Sequence, residues 1–125
     1  PHLDALDSWD AIANWLDALV AIQEGSGGLR GCPIGSLVTE LADEDDRARA
    51  ELLRSFDRWE APLVAGLQKL RDHGGLRVDA DPERLAAATM ASIQGGLLLS
   101  QLRRDPRRMR IALDAALAYL RLHAA

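Results

Sequence analysis

The chain has 125 residues, which is enough for one domain with a single hydrophobic core. Leu and Ala supply 22 and 21 of these residues while Val, Ile and Thr together supply 11, so the composition favours helices over strands. Nineteen acidic and 15 basic residues give a net charge of -4, the wrong sign for holding a polyanion by charge alone. We therefore expect an all-α domain that does not itself bind DNA.

The first predicted helix runs from Asp7 to Gln23, where apolar residues recur at helical spacing behind an Asp or Ser cap. A loop with four glycines over residues 25–31 ends it. A short second helix is predicted from Ile34 to Leu41. Cys32, the single cysteine, excludes an internal disulfide, which suits a reducing cytoplasm.

The third predicted helix is the longest, from about Glu44 to His73, with an acidic start that suits the positive end of a helix dipole. Pro62 lies inside it and lacks the N–H that an interior helical residue donates, so we expect a kink there. Two glycines at 74 and 75 predict a left-handed stop.

Two Asp-Pro pairs mark the starts of the last two predicted helices. In the pair Asp81-Pro82 the aspartate is a helix cap and the proline occupies the first helical position, and this helix is predicted to end near Arg104. The pair Asp105-Pro106 repeats the device for a helix that ends near His123. The sequence thus predicts about five helices and one domain spanning residues 1–125.

The stretch from Leu85 to Leu102 contains no charged residue. A membrane span would need such a stretch, but Ala, Gly, Ser, Thr and Gln dilute it, so we expect no membrane contact. A chain of this length rarely encloses a helix on every side. We therefore expect a second copy of the chain to cover the exposed side of this helix, and we predict a homodimer built as a four-helix bundle. The predicted dimer interface consists of Leu85, Ala88, Ser92, Gly95, Gly96, Leu99, Leu113 and Ala116.

Few residues carry the patterns that catalysis or metal binding requires. The three histidines are scattered and none has a His or Cys partner one helical turn away, so we expect no metal site and no cofactor. Cys32 has no local signature of a nucleophile, although oxidation of this thiol stays open. Five arginines over residues 103–110 form a basic cluster that is typical of a solvated helix end. We therefore do not expect the chain to be an enzyme.

A pocket for a small apolar molecule is the site that the sequence favours most. Aromatic side chains on the first and third helices can face the Met90 side of the uncharged helix, with polar amides among the apolar walls. The predicted ligand-binding residues are Trp15, Leu19, Phe56, Trp59, Leu63, Met90, Ile93 and Gln94. The alternative, in which each of these side chains simply fills the core, stays open.

Several strings resemble a known family. The sequence GCPIGS at 31–36, the aromatic pair Phe56 and Trp59 on the long helix, QGGLLL at 94–99 and the Arg104-Asp105-Pro106 turn are similar to the C-terminal regulatory domain of TetR-family transcriptional repressors. Within that family the strings look most like the LmrA/YxaF-like branch. Such proteins also carry a basic N-terminal helix-turn-helix domain, which is absent from this chain.

The resemblance implies an all-helical, cytoplasmic domain that dimerises through its last two long helices and binds a small hydrophobic effector. Family members release DNA when the effector binds, and DNA contact belongs to the helix-turn-helix domain. Two other hypotheses remain open at this stage: a helical homodimerisation module without a ligand, and a cofactor-free enzyme.

Overall fold

A computed structural model describes residues 5–28 and 45–125, and within these ranges the regular structure is helical, with one isolated β-bridge. The helices are α1 (Trp9–Gly25), α2 (Asp46–Asp72), α3 (Pro82–Arg103) and α4 (Arg107–Arg121). The all-α prediction is confirmed. The predicted short helix from Ile34 to Leu41, together with Cys32, lies outside the described residues, so the count of five helices stays a prediction.

Side-chain caps fix the starts of three helices. The Ser8 hydroxyl accepts the Ala11 N–H at 3.1 Å, Asp45 accepts the Arg47 N–H at 2.9 Å, and Asp81 accepts the Glu83 N–H at 3.1 Å. Each of these bonds gives an acceptor to a backbone N–H of the first helical turn, which has no carbonyl partner within the helix. α2 begins one residue after Asp45 and runs unbroken through Pro62 to Asp72. The kink at Pro62 stays a prediction.

The start of α4 differs from the prediction by one position. Pro106 occupies the cap position without a side-chain hydrogen bond, and Arg107 is the first helical residue. Asp105 still accepts the Arg107 backbone N–H at 3.0 Å, and it also accepts the guanidinium of that residue at 2.6 Å. These hydrogen bonds from Arg107 lower the pKa of Asp105 to about 2.

α3 and α4 form an antiparallel hairpin on which α1 and α2 pack. The Ser100 hydroxyl of α3 accepts the Met109 N–H of α4 at 3.0 Å, which joins the two helices at the turn. α1 is tied to α4 by Arg110, whose guanidinium donates to Asp17 at 2.8 Å and to Glu24 at 3.1 Å. These bonds, that to Asp17 foremost, raise the pKa of Arg110 above its ordinary value. Fully buried residues of the core include Leu6, Ile12, Leu63, Leu67, Leu85, Met109 and Leu120.

The two ends of the described chain meet beside the α2–α3 connection. The Trp9 indole N–H donates to the Gly75 carbonyl at 3.2 Å, and the Arg121 guanidinium lies 5.7 Å from the centre of the Trp9 ring. Leu76 pairs with Ala124 in an antiparallel bridge. Gly74 has φ of +84°, which confirms the predicted left-handed stop of α2. The connection is thereby held against the first and last turns of the domain.

Candidate functional site

A groove of about 350 Å³ lies between the first half of α2 and the middle of α3. Each helix contributes four residues at the spacing i, i+3, i+4 and i+7, which is one face of a helix. The lining residues are Leu53, Phe56, Asp57 and Glu60 from α2 and Ala87, Met90, Ala91 and Gln94 from α3. The groove is therefore the seam where two helical faces meet.

The lining combines apolar walls with three polar groups. Asp57 is exposed and Glu60 is half-buried, and neither carboxylate takes part in an ion pair among the described residues. On the opposite wall the Nε2 atom of Gln94 is buried and has no hydrogen-bond partner in the described part of the chain. An unpaired buried donor costs free energy, and because this Nε2 atom has almost no accessible surface, a ligand reaches it only if the amide turns toward the groove.

Three of the predicted ligand-binding residues meet in the groove: Phe56, Met90 and Gln94. Trp59 stands beside it with 38% of its surface exposed, and its ring packs edge-on against Phe56 with the ring centres 5.9 Å apart. The other four do not line this groove. Trp15, Leu63 and Ile93 are buried in the hydrophobic core, and Leu19 packs against that core.

Sequence reasoning missed Leu53, Asp57, Glu60, Ala87 and Ala91. The signal was present in the spacing for four of them, because Leu53, Glu60, Ala87 and Ala91 each lie three or four residues from a lining residue that was predicted. Asp57 lies three residues from Glu60 and four from Leu53 on the same helical face. The search for large apolar side chains passed over the two carboxylates and the two alanines. It also missed Gln23, which is buried in the core with neither amide atom bonded to a described residue.

A second feature is an apolar surface on the α3–α4 hairpin, which we call the outer face. It consists of the exposed residues Leu98, Leu99, Leu102, Ile111, Ala115, Ala118 and Leu122. The large side chains among them are far from covered: Leu102 is 76% exposed and Ile111 is 64% exposed. On each helix these residues point away from the positions that the core buries. An exposed apolar surface of this kind marks an interaction site.

The structure places four of the predicted dimer residues in the interior of the protomer, and the predicted dimer interface stays a prediction. Leu85, Gly96, Leu113 and Ala116 are buried inside the chain itself, so their side chains have no exposed surface left to bury against a second copy. A Cβ at Gly96 would lie 2.8 Å from Met109 Sδ and 3.2 Å from Ala112 Cβ, both on α4 of the same chain. Gly96 is therefore small to admit α4. The remaining predicted residues, Ala88, Ser92, Gly95 and Leu99, keep part of their surface exposed.

Other candidate chemistry has little support in the described ranges. No group of three His, Cys, Asp or Glu side chains is placed to hold a metal ion within residues 5–28 and 45–125. Two of the five clustered arginines pair within the chain, Arg107 with Asp105 and Arg110 with Asp17 and Glu24. By length and composition α3 passes a test for a membrane span, which is weak evidence because the core helix of a soluble protein passes it too.

The described residues form an all-helical domain with a small groove between two helices and an apolar face on its last hairpin. Residues 9–116 match the family described as "Tetracyclin repressor-like, C-terminal domain", and the chain belongs to this family. It is 32% identical over 94 residues to the HTH-type transcriptional repressor DhaR of Mycobacterium sp. (strain GP1). The match covers 75% of this chain and 46% of that protein, so the chain spans about half the length of this relative. No solved structure matches the chain.

Proposed function

We propose that the chain is the effector-sensing and dimerisation domain of a TetR-like transcriptional repressor of the cytoplasm. The α2–α3 groove carries this proposal. Its volume of about 350 Å³ is in the range of small-molecule sites, and apolar walls with a few polar groups are typical of such sites. In this proposal the ligand is a small hydrophobic or aromatic molecule that contacts Phe56, Met90 and Gln94. Membership in the family and similarity to a repressor support the role.

The outer face supports the proposed homodimer. Two hairpins that meet through their outer faces form a four-helix bundle, and a twofold axis lets one surface cover itself. We propose Leu98, Leu99, Leu102, Ile111 and Leu122 as the main contacts, with Ala88, Ser92 and Gly95 at the edge. The four predicted residues that are buried in the protomer support the hairpin from within.

The proposed mechanism depends on α3, which belongs to both features. Ala87 and Ala91 line the groove, and Leu98, Leu99 and Leu102 lie further along the same helix on the outer face. A ligand that prefers one position of α3 shifts the population of dimer arrangements by its difference in affinity. DNA is released when the favoured arrangement changes the spacing of two helix-turn-helix domains that lie outside this chain. The proposal needs no metal or cofactor and places the protein in the LmrA/YxaF-like branch.

The outer face by itself also favours a second candidate, a helical homodimerisation module without a small-molecule ligand. The two candidates differ at the groove. A dimerisation module leaves the groove empty in the presence of any apolar compound, whereas an effector domain gains thermal stability from one that it binds. The groove lining holds no Ser, Cys or His side chain, so it offers no nucleophile and base pair built from these residue types.

Filling the groove tests the effector site. We expect Ala87→Phe to abolish binding of the neutral probe 2-naphthalenemethanol, because the new ring occupies the space between α2 and α3. Binding is measured by the change in tryptophan fluorescence that Trp59→Phe removes. The matched control is Ala61→Phe, an exposed α2 position outside the lining. Binding that survives Ala87→Phe, in a variant whose helicity and molar mass are unchanged, would contradict the placement.

A further inference from the structure

We infer that the groove selects a positively charged effector: an apolar body that carries an amine. This inference deepens the function proposed above and rests on the groove being the effector site. It goes beyond size and hydrophobicity, since it assigns the sign of the ligand's charge from the side chains that line the groove.

The apolar part of the lining sets how much of a ligand is desolvated but does not select a charge. Leu53 and Phe56 form the α2 wall, and Ala87, Met90 and Ala91 form the α3 wall. Small alanines opposite an aromatic ring leave a slot that suits a flat apolar body. Burial of that body supplies affinity roughly in proportion to the area removed from water.

The charged part of the lining has one sign. Asp57 and Glu60 lie three residues apart on α2 and both line the groove, while no Lys, Arg or His side chain does. The adjacent Arg58 donates to the Ser55 hydroxyl at 3.3 Å and pairs with neither carboxylate. Two carboxylates without an ion-pair partner among the described residues attract an ammonium group and repel a carboxylate or a phosphate.

Gln94 lines the groove from the other wall. Its side-chain carbonyl oxygen is a hydrogen-bond acceptor to which an ammonium group can donate. The groove thus offers two anionic acceptors on α2 and one amide group on α3. The net charge of -4 adds a long-range attraction for cations.

Three probes that share one body and differ in charge test the inference: 2-naphthylmethylamine, 2-naphthalenemethanol and 2-naphthoate. Their affinities for the chain are measured by calorimetry at low and at physiological salt. We expect the amine to bind about tenfold more tightly than the alcohol, since a partly exposed ion pair contributes modestly and two carboxylates take part. We expect the naphthoate to bind more weakly than the alcohol, and we expect the differences in affinity between the three probes to be smaller at physiological salt than at low salt.

We expect the double variant Asp57→Asn/Glu60→Gln to lower the affinity for the amine to that for the alcohol. The control Asp10→Asn/Glu51→Gln removes the same charge at exposed positions outside the lining, and it keeps the preference. Equal affinities for amine and alcohol would overturn this inference while leaving the effector proposal standing. A preference that both double variants lose equally would overturn it too, since overall charge would then be the cause. Binding of none of the probes would contradict both proposals.

Discussion

We expect Ile111→Asp to convert the proposed dimer, of twice 13.6 kDa, into a monomer of 13.6 kDa. Ile111 is 64% exposed in the protomer, so the substitution leaves the core intact while placing a carboxylate in the middle of the outer face. The twofold axis introduces the charge on both sides of the interface, where each buried, unpaired carboxylate is costly. We expect the dissociation constant to rise by at least about a hundredfold, which corresponds to roughly 1.4 kcal/mol for each protomer.

Sedimentation velocity at micromolar concentration measures this change. Val78→Asp is the matched control, because Val78 is 90% exposed in the α2–α3 connection and lies outside the outer face. The control stays dimeric, and both variants keep the wild-type helicity. A wild-type chain that sediments as a monomer, or an Ile111→Asp chain that stays dimeric, would contradict the proposal that the outer face is the dimer interface.

Gly66→Ala destabilises the domain by about 3 kcal/mol, at the upper end of what overpacking costs. Gly66 is buried on α2, and a Cβ there would overlap the backbone carbonyl of Leu6 and lie 2.8 Å from Leu6 Cβ. A flexible side chain could move aside, but here the obstacle is main chain that leads into α1. For a domain of this size we expect the melting temperature to fall by roughly 10 °C.

Calorimetry at one protein concentration measures the melting temperature of Gly66→Ala. The control is Gly25→Ala at the end of α1, where a Cβ meets no atom within 4 Å. This control changes stability little, or raises it, because alanine loses less backbone entropy than glycine on folding. If Gly66→Ala is as stable as the control, the segment before α1 does not pack on α2 as the structure has it.

The local signals in the sequence predicted the helices well. Asp81 caps α3 as predicted, and the glycine after α2 takes the left-handed conformation. At the second Asp-Pro pair the helix begins one residue later than predicted, with Pro106 rather than Asp105 at the cap position. Such local hydrogen bonding depends on neighbours in the chain, so sequence alone comes within one residue of it.

Which face of a helix meets which neighbour was harder to predict. Gly95 and Gly96 are adjacent and equally small, and the sequence assigned both to the dimer interface. The structure turns Gly96 onto Met109 of the same chain, whereas a Cβ at Gly95 would meet nothing within 4 Å. The two positions differ by about 100° around the helix, and only the packing of the hairpin decides which of them is covered.

The candidate site shows the same limit. Phe56, Met90 and Gln94 were predicted from their type, and they do meet at one groove. Trp15 and Leu63 are apolar residues of a similar type but are buried in the core. Aromatic and branched side chains suit a core and a ligand site equally, so residue type cannot separate the two roles. The carboxylates of Asp57 and Glu60 become informative only when α3 is seen to lie opposite them.

The methyl groups of the two methionines test most directly the claim that the α2–α3 groove is the effector site. Met90 lines the groove, whereas Met109 of α4 is fully buried against α3. Methyl-labelled methionine gives two NMR signals, which Met90→Leu assigns. Saturating 2-naphthalenemethanol is expected to shift the Met90 signal and to leave the Met109 signal in place. A Met90 signal that does not move while the probe binds would contradict the claim that the α2–α3 groove is the effector site.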